Sequence, residues 1–170
     1  MGKLLEAVEA AFNRLIFALA ALVALSIGLI TVGIALNLVL LKTGTGSIWW
    51  LYEAVEYTLY VGVFIAAPWV LQQGAHVRVD VLTAALPRRL SMRLEQLLDV
   101  AGAALCAVLC YYGARAATME FEFGTLPDKD LRIANWIMLT IFAGAFALLG
   151  IEFLLRIRRA GETIRTEAGL

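Results

Sequence analysis

Four long apolar blocks divide the chain, and short charged stretches separate them. The first runs over 15–41 without a single charge, between Arg14 and Lys42. Its 27 residues make a helix of about 40 Å at about 1.5 Å per residue, longer than a hydrocarbon core of about 30 Å. Tilt or protruding ends are therefore expected. The second block covers about 48–71 and contains Glu53 and Glu56; the third covers about 97–118, with Arg115 near its end; the fourth covers about 133–155, with Glu152 near its end. None alternates with period two, so membrane strands are excluded and each block reads as a spanning helix. The first block is also too long for the apolar core of a secretory signal and is expected to remain as a span.

The connections differ in character. Residues 42–47 are short and glycine-rich, which makes the first two helices antiparallel neighbours. Residues 120–132 are polar and hold Gly124 and Pro127, a loop. The middle connection carries arginines, yet leucines recur every four residues from Leu82, and Pro87 is placed to start a helix. Segment 77–96 is therefore expected to lie in the interface, with Arg88, Arg89 and Arg93 toward lipid headgroups. The alternative is an ordinary amphipathic helix folded against the bundle. The whole chain, 1–170, reads as one membrane domain of all-α class with four transmembrane helices.

Composition sharpens this reading. Hydrophobic residues make up 62% of the chain and charged ones 16%, against roughly half and a quarter in soluble domains. Fourteen basic residues balance fourteen acidic ones, which gives no support for nucleic-acid binding, since that needs a basic excess. Charge distribution is more informative than the total. Lys3, Arg14, Arg78, Arg88, Arg89, Arg93, Arg156, Arg158, Arg159 and Arg165 fall on one side, and Lys42, Arg115, Lys129 and Arg132 on the other. That bias predicts that both termini are cytoplasmic. Trp49, Trp50, Tyr52, Tyr111, Tyr112 and Trp136 would then mark the outer interface and Trp69 the inner one.

Candidate chemistry is sparse. Cys106 and Cys110, four apart in an apolar block, read as small residues packed between helices, with no histidine near them to complete a metal site. His76 is the one histidine, so a haem held by two histidines of this chain is impossible; ligation by His76 and a methionine stays open, but His76 falls at the interface rather than mid-bundle, and no cofactor is expected. His76 and Asp80 read as a brace for the turn out of the second helix. Glu53 and Glu56 share one helical face inside a span, where ionisable groups are functional candidates. They either form a proton or cation site or pair with a cation at the same depth. Arg115 is the cation within the chain whose depth matches Glu53, leaving Glu56 for a contact to another subunit. No phosphate loop or nucleophile elbow occurs, so an enzyme is not expected.

The stretch Gly74-Ala75-His76-Val77-Arg78-Val79-Asp80-Val81-Leu82, followed by Leu86-Pro87 and basic residues, resembles the signature of the small, DctQ-like membrane subunit of tripartite ATP-independent periplasmic (TRAP) transporters. It lies between the second and third helices, as it does in that family. Trp49 four residues before Glu53, the chain length and the four spans are similar to the family as well. The resemblance implies a multi-pass protein of the bacterial inner membrane. It implies pairing with a large multi-span permease subunit that carries the substrate and sodium sites and moves by an elevator-type motion. It implies a periplasmic solute-binding protein that delivers an organic acid. The small subunit is in that scheme a scaffold that braces the large one and helps to dock the binding protein, with Trp49, Trp50, Glu53, Glu56, Arg115, His76 and Asp80 as its partner or structural residues. A scaffold fits the residues themselves, because no span has a proline in its middle (Pro68 lies near the end of the second) and transport sites usually need broken helices. Two rivals are a stand-alone four-helix proton-coupled exporter working through Glu53 or Glu56 and the membrane anchor of a redox enzyme.

Overall fold

The computed structural model describes residues 2–73 and 87–167. The described residues form four α-helices: α1 (Gly2–Thr43), α2 (Leu51–Gln72), α3 (Arg88–Phe123) and α4 (Asn135–Glu167). All four are long and apolar enough to cross a membrane. Three run well past the apolar blocks of the sequence, because hydropathy marks where a chain is apolar and not where its helix stops. The ends are set by backbone chemistry. Gly44 follows α1 at φ 71°, with the Gly44 N–H on the Leu41 carbonyl and the Thr45 N–H on the Leu40 carbonyl. This left-handed cap satisfies the last carbonyls of the helix. Gly124 ends α3 the same way, at φ 63°, donating to the Glu120 carbonyl.

Pro87 occupies the N-cap of α3, in agreement with its expected role as a helix start. The segment it opens is not a separate interfacial helix over 88–96, however. Residues 88–96 are the first turns of one helix that continues to Phe123. Nothing between Leu90 and Leu98 breaks a helix, so once nucleated it propagates straight into the span. Residues 77–86 of the expected segment, with His76 and Asp80, lie outside the described residues, as do the side chains of Arg88 and Arg89.

The helices pack in the order α1–α2–α4–α3, which is not their order along the chain. α1 lies antiparallel to α2, and its contacts pass through small residues. A Cβ on Gly33 would stand 3.3 Å from Leu51 Cδ1, and one on Gly62 3.2 Å from Val23 Cγ1. α3 lies antiparallel to α4 by the same means. A Cβ on Gly102 would come 2.7 Å from the Phe153 ring, and one on Gly113 2.8 Å from Phe142. Without a hydrophobic drive between helices in lipid, such close backbone approach supplies the dispersion contact that holds them together. α2 and α4 run parallel, joined by a ladder of rings: Tyr60 on Phe64, then Phe64 against Phe142 and Phe146, with centroids 4.8 to 6.0 Å apart. A small core forms where α2, α3 and α4 converge, from Leu71, Cys106 and Leu149 with Ala67, Phe146 and Phe153 around it. Cys106 is buried there against the face of Gly150, the packing role expected of it.

The outer faces remain apolar. Leu22, Leu25, Leu29 and Val32 of α1 are each 63–67% exposed. In water that row would be untenable; in a bilayer it is the surface presented to acyl chains or to another membrane subunit.

Candidate functional site

Polar groups gather at the two ends of the helix layer. At the end where the 44–50 and 124–134 connections lie, α2 begins with Glu53, Glu56 and Tyr57 on one face. The α3–α4 loop folds down onto that face. The Glu53 carboxylate accepts the Asp130 N–H at 3.1 Å and the Leu131 N–H at 2.6 Å. Lys129 donates to Glu56 at 2.6 Å and lies 5.2 Å from the centroid of the Tyr57 ring. One turn on, Tyr57 donates to the Leu131 carbonyl at 3.2 Å and Tyr60 to the Met138 carbonyl at 3.3 Å. The hydrogen bond to Glu56 raises the Lys129 pKa above the usual lysine value. A single face of α2 thus clamps the loop by four polar bonds, two of them adjacent amides donating to one carboxylate, and holds the first turn of α4 by a fifth.

This geometry corrects the expected pairing of Glu53 with Arg115. The amides of Asp130 and Leu131 reach Glu53 because the loop crosses the start of α2 on its way to α4, and α3 stands beyond α4 in the layer. Arg115 is exposed, and no ion pair engages it among the described residues. Glu56, expected to be left for another subunit, is held within the chain by Lys129, although its side chain stays 64% exposed. Trp49 and Trp50 are exposed just before α2, Trp50 as its N-cap. Arg93 is exposed in the second turn of α3.

Asn37 secures the other connection. It is 1% exposed, and its Oδ1 accepts the Ile48 N–H at 2.7 Å. The returning chain therefore lies beside the last turns of α1 before α2 begins.

The opposite end holds a network that the sequence reading did not assemble. Glu152 of α4 is completely buried. Gln72 of α2 donates to Glu152 Oε2 at 2.9 Å and to Asn13 of α1 at 2.8 Å. Arg159 bonds Glu152 at 3.2 Å and Glu9 of α1 at 2.6 Å, while Arg158 approaches Glu9 at 3.6 Å. Arg156 and Asp99 of α3 stand 3.5 Å apart. All four helices contribute, and every buried side-chain N or O among the described residues has a partner. The signal that could have found the core of this network is the spacing of Glu152 and Arg159, seven residues and two turns apart on one face. Its partners from α1 and α2 carry no such signal, because their register comes only from helix packing.

The arrangement is built of hydrogen bonds and ion pairs within the chain. Among the described residues no group of three His, Cys, Asp or Glu could hold a metal, and Glu53, Glu56 and Glu152 are bonded within the chain. What it does is lock both ends of a helix layer whose flanks are apolar.

The family model described as tripartite ATP-independent periplasmic transporters, DctQ component, matches residues 30–161. No curated protein matches the chain, and no solved structure does.

Proposed function

The chain belongs to the DctQ component family of the tripartite ATP-independent periplasmic transporters, and from that premise we propose that it works as a fixed brace for a larger permease subunit rather than as a transport path of its own. It is thus a small membrane subunit of a transporter. In the proposed reading the complex takes up an organic acid driven by sodium across the bacterial inner membrane. A large multi-span subunit carries the moving parts, and a periplasmic solute-binding protein delivers the substrate. Both termini of this chain lie in the cytoplasm, and the 124–134 loop lies on the periplasmic side, where it helps to receive the binding protein.

The observation that carries the scaffold reading is the engagement of Glu53 and Glu56 by the 129–131 loop. A proton-driven exporter needs a carboxylate free to gain and lose its proton and its ligand during the cycle. Glu53 here holds two backbone amides, and the fully buried Glu152 holds Gln72 and Arg159. Breaking either set would open the helix layer. Apolar flanks and an internally satisfied polar skeleton suit a rigid support instead. The exposed row on α1 and an open apolar cleft of about 380 Å³ between α1, α2 and α4, lined by Leu19, Ile65, Ile141 and Leu148 with Gly144 and Ala145, offer a second membrane subunit surfaces of the right kind.

Reconstitution tests the proposal. The purified chain alone in sodium-loaded or proton-loaded vesicles should move no organic acid and no cationic drug. Uptake should appear only when a large permease subunit and a solute-binding protein are added. Robust transport by the chain alone would overturn the scaffold reading.

A further inference from the structure

At the loop end, an open cleft of about 330 Å³ lies between α3 and α4, walled by Ala117, Thr118, Phe121 and Glu122 of α3 and by Trp136 and Thr140 of α4. Phe121 and Trp136 meet edge to face with centroids 5.4 Å apart. The Thr118 hydroxyl donates to the Arg115 carbonyl at 2.7 Å, and the Thr140 hydroxyl to the Trp136 carbonyl at 2.7 Å. Their protons are committed to the helix backbone, so both oxygens offer only lone pairs to the cleft. The Glu122 carboxylate is exposed beside them. Acceptors, a negative charge and aromatic rings together make a place for a cation that carries N–H donors.

A second charge lies on the same face. Arg115, Thr118 and Glu122 follow one another at i, i+3 and i+7, so they form one stripe along α3. The helical rise sets Arg115 about 10 Å nearer the middle of the span than Glu122, and its long side chain can bridge much of that distance. Arg115 is exposed, and among the described residues neither it nor Glu122 has an ion-pair partner. From the middle of the bilayer outward, α3 therefore presents a cation and then an anion. Farther in on the same side, Val108, Tyr111 and Tyr112 are each more than half exposed.

A zwitterionic phospholipid carries the complementary order: acyl chains, then phosphate, then ammonium. We propose that the cleft binds a phospholipid with a primary ammonium headgroup, a phosphatidylethanolamine, its phosphate on Arg115 and its ammonium between Glu122, the two threonine hydroxyls and the aromatic rings. A choline headgroup has no N–H for the threonine oxygens or the carboxylate. A glycerol headgroup has no cation for Glu122. A free phosphate would use Arg115 alone. The site is independent of which end of the chain faces the cytoplasm, and it does not rest on the scaffold reading.

The test uses the full chain, purified in detergent and stripped of lipid. Dioleoyl phosphatidylethanolamine, phosphatidylcholine and phosphatidylglycerol are returned one at a time in mixed micelles. Retained lipid is counted by native mass spectrometry, with the melting temperature as a second readout. Phosphatidylethanolamine should be retained in preference to both others. Arg115→Gln should weaken retention of phosphatidylethanolamine and phosphatidylglycerol alike, by about tenfold for a lost charge-assisted bond. Glu122→Gln should remove the preference for phosphatidylethanolamine and leave phosphatidylglycerol unchanged. Equal retention of the three lipids by the unaltered chain overturns the proposal without recourse to any variant. So does stabilisation by inorganic phosphate that equals that of the lipid and vanishes in Arg115→Gln.

Discussion

Gln72 and Glu152 meet at 2.9 Å where α2 and α4 reach the terminal end of the layer, and Glu152 has no exposed surface. A carboxylate so placed is costly unless every lone pair finds a donor. Gln72 and Arg159 supply the donors, and through Asn13 and Glu9 the same groups fasten α1. Backbone packing of α1 is against α2, so this network is its second hold on the rest of the protein.

Removing one side of the network should therefore hurt more than removing both. Arg159→Leu leaves the Glu152 charge without its cation. Arg159 is 39% exposed, so solvent screens part of the interaction, and a loss of about 2 kcal/mol is expected rather than the full penalty of a broken buried pair. Adding Glu152→Gln should recover part of it. Thermal unfolding of the two single variants and the double variant, in one detergent, measures the coupling; strictly additive effects would show that the two groups act independently.

Glu53 and Glu56 should differ sharply although they are three residues apart. Glu53→Ala abandons two amides, one of them half-buried, at a cost of about 1–2 kcal/mol. Glu56→Ala removes a solvent-exposed ion pair that solvent and salt largely screen. The melting temperature should drop clearly for the first and barely for the second. The reverse order would mean that the loop is held by its lysine rather than by its backbone.

The pH dependence of that lysine has a definite sign. Its pKa is raised by the bond to Glu56, so its contribution is complete below the unfolded lysine value and is lost as pH rises through the folded one. The difference in melting temperature between the native chain and Lys129→Met should be constant between about pH 6 and 9 and shrink above about pH 10. A difference that changes near neutrality would point to another titrating group.

Two glycines separate tight packing from mere flexibility. Gly113→Ala places a Cβ 2.8 Å from Phe142 and 3.3 Å from the Ala143 Cβ, so it should destabilise by about 1–3 kcal/mol. Gly28→Ala meets nothing within 4 Å and should stabilise α1 by up to about 1 kcal/mol. Equal effects of the two, read from thermal unfolding, would contradict the close approach of α3 to α4.

Topology can be read by chemistry at single thiols. In a background with Cys106 and Cys110 replaced, Asp128→Cys should react with an impermeant reagent added outside intact cells, and Arg165→Cys should not. The opposite pattern would invert the orientation taken from the basic residues.

The pattern of apolar blocks by itself determined that the chain is helical and has four segments long and apolar enough to span a membrane, because a bilayer demands long, predominantly apolar runs whatever the partners. It also identified the α3 start at Pro87 and the two connections, since proline and glycine act through their own backbone geometry. The sequence motif around 74–82 pointed to the family that the match over 30–161 then showed. Which polar groups meet was decided only by tertiary structure. Glu53 and Arg115 have compatible depths, yet the layer order α1–α2–α4–α3 puts α4 between their helices and brings the loop amides to Glu53 instead. Glu9, Asn13, Gln72, Asp99 and Glu152 are scattered over the chain and converge only because antiparallel and parallel packing brings their helix ends to one level. Depth can be counted along a sequence; lateral neighbourhood is set by which small-residue faces let two backbones approach, and that is a property of pairs of helices rather than of any one of them.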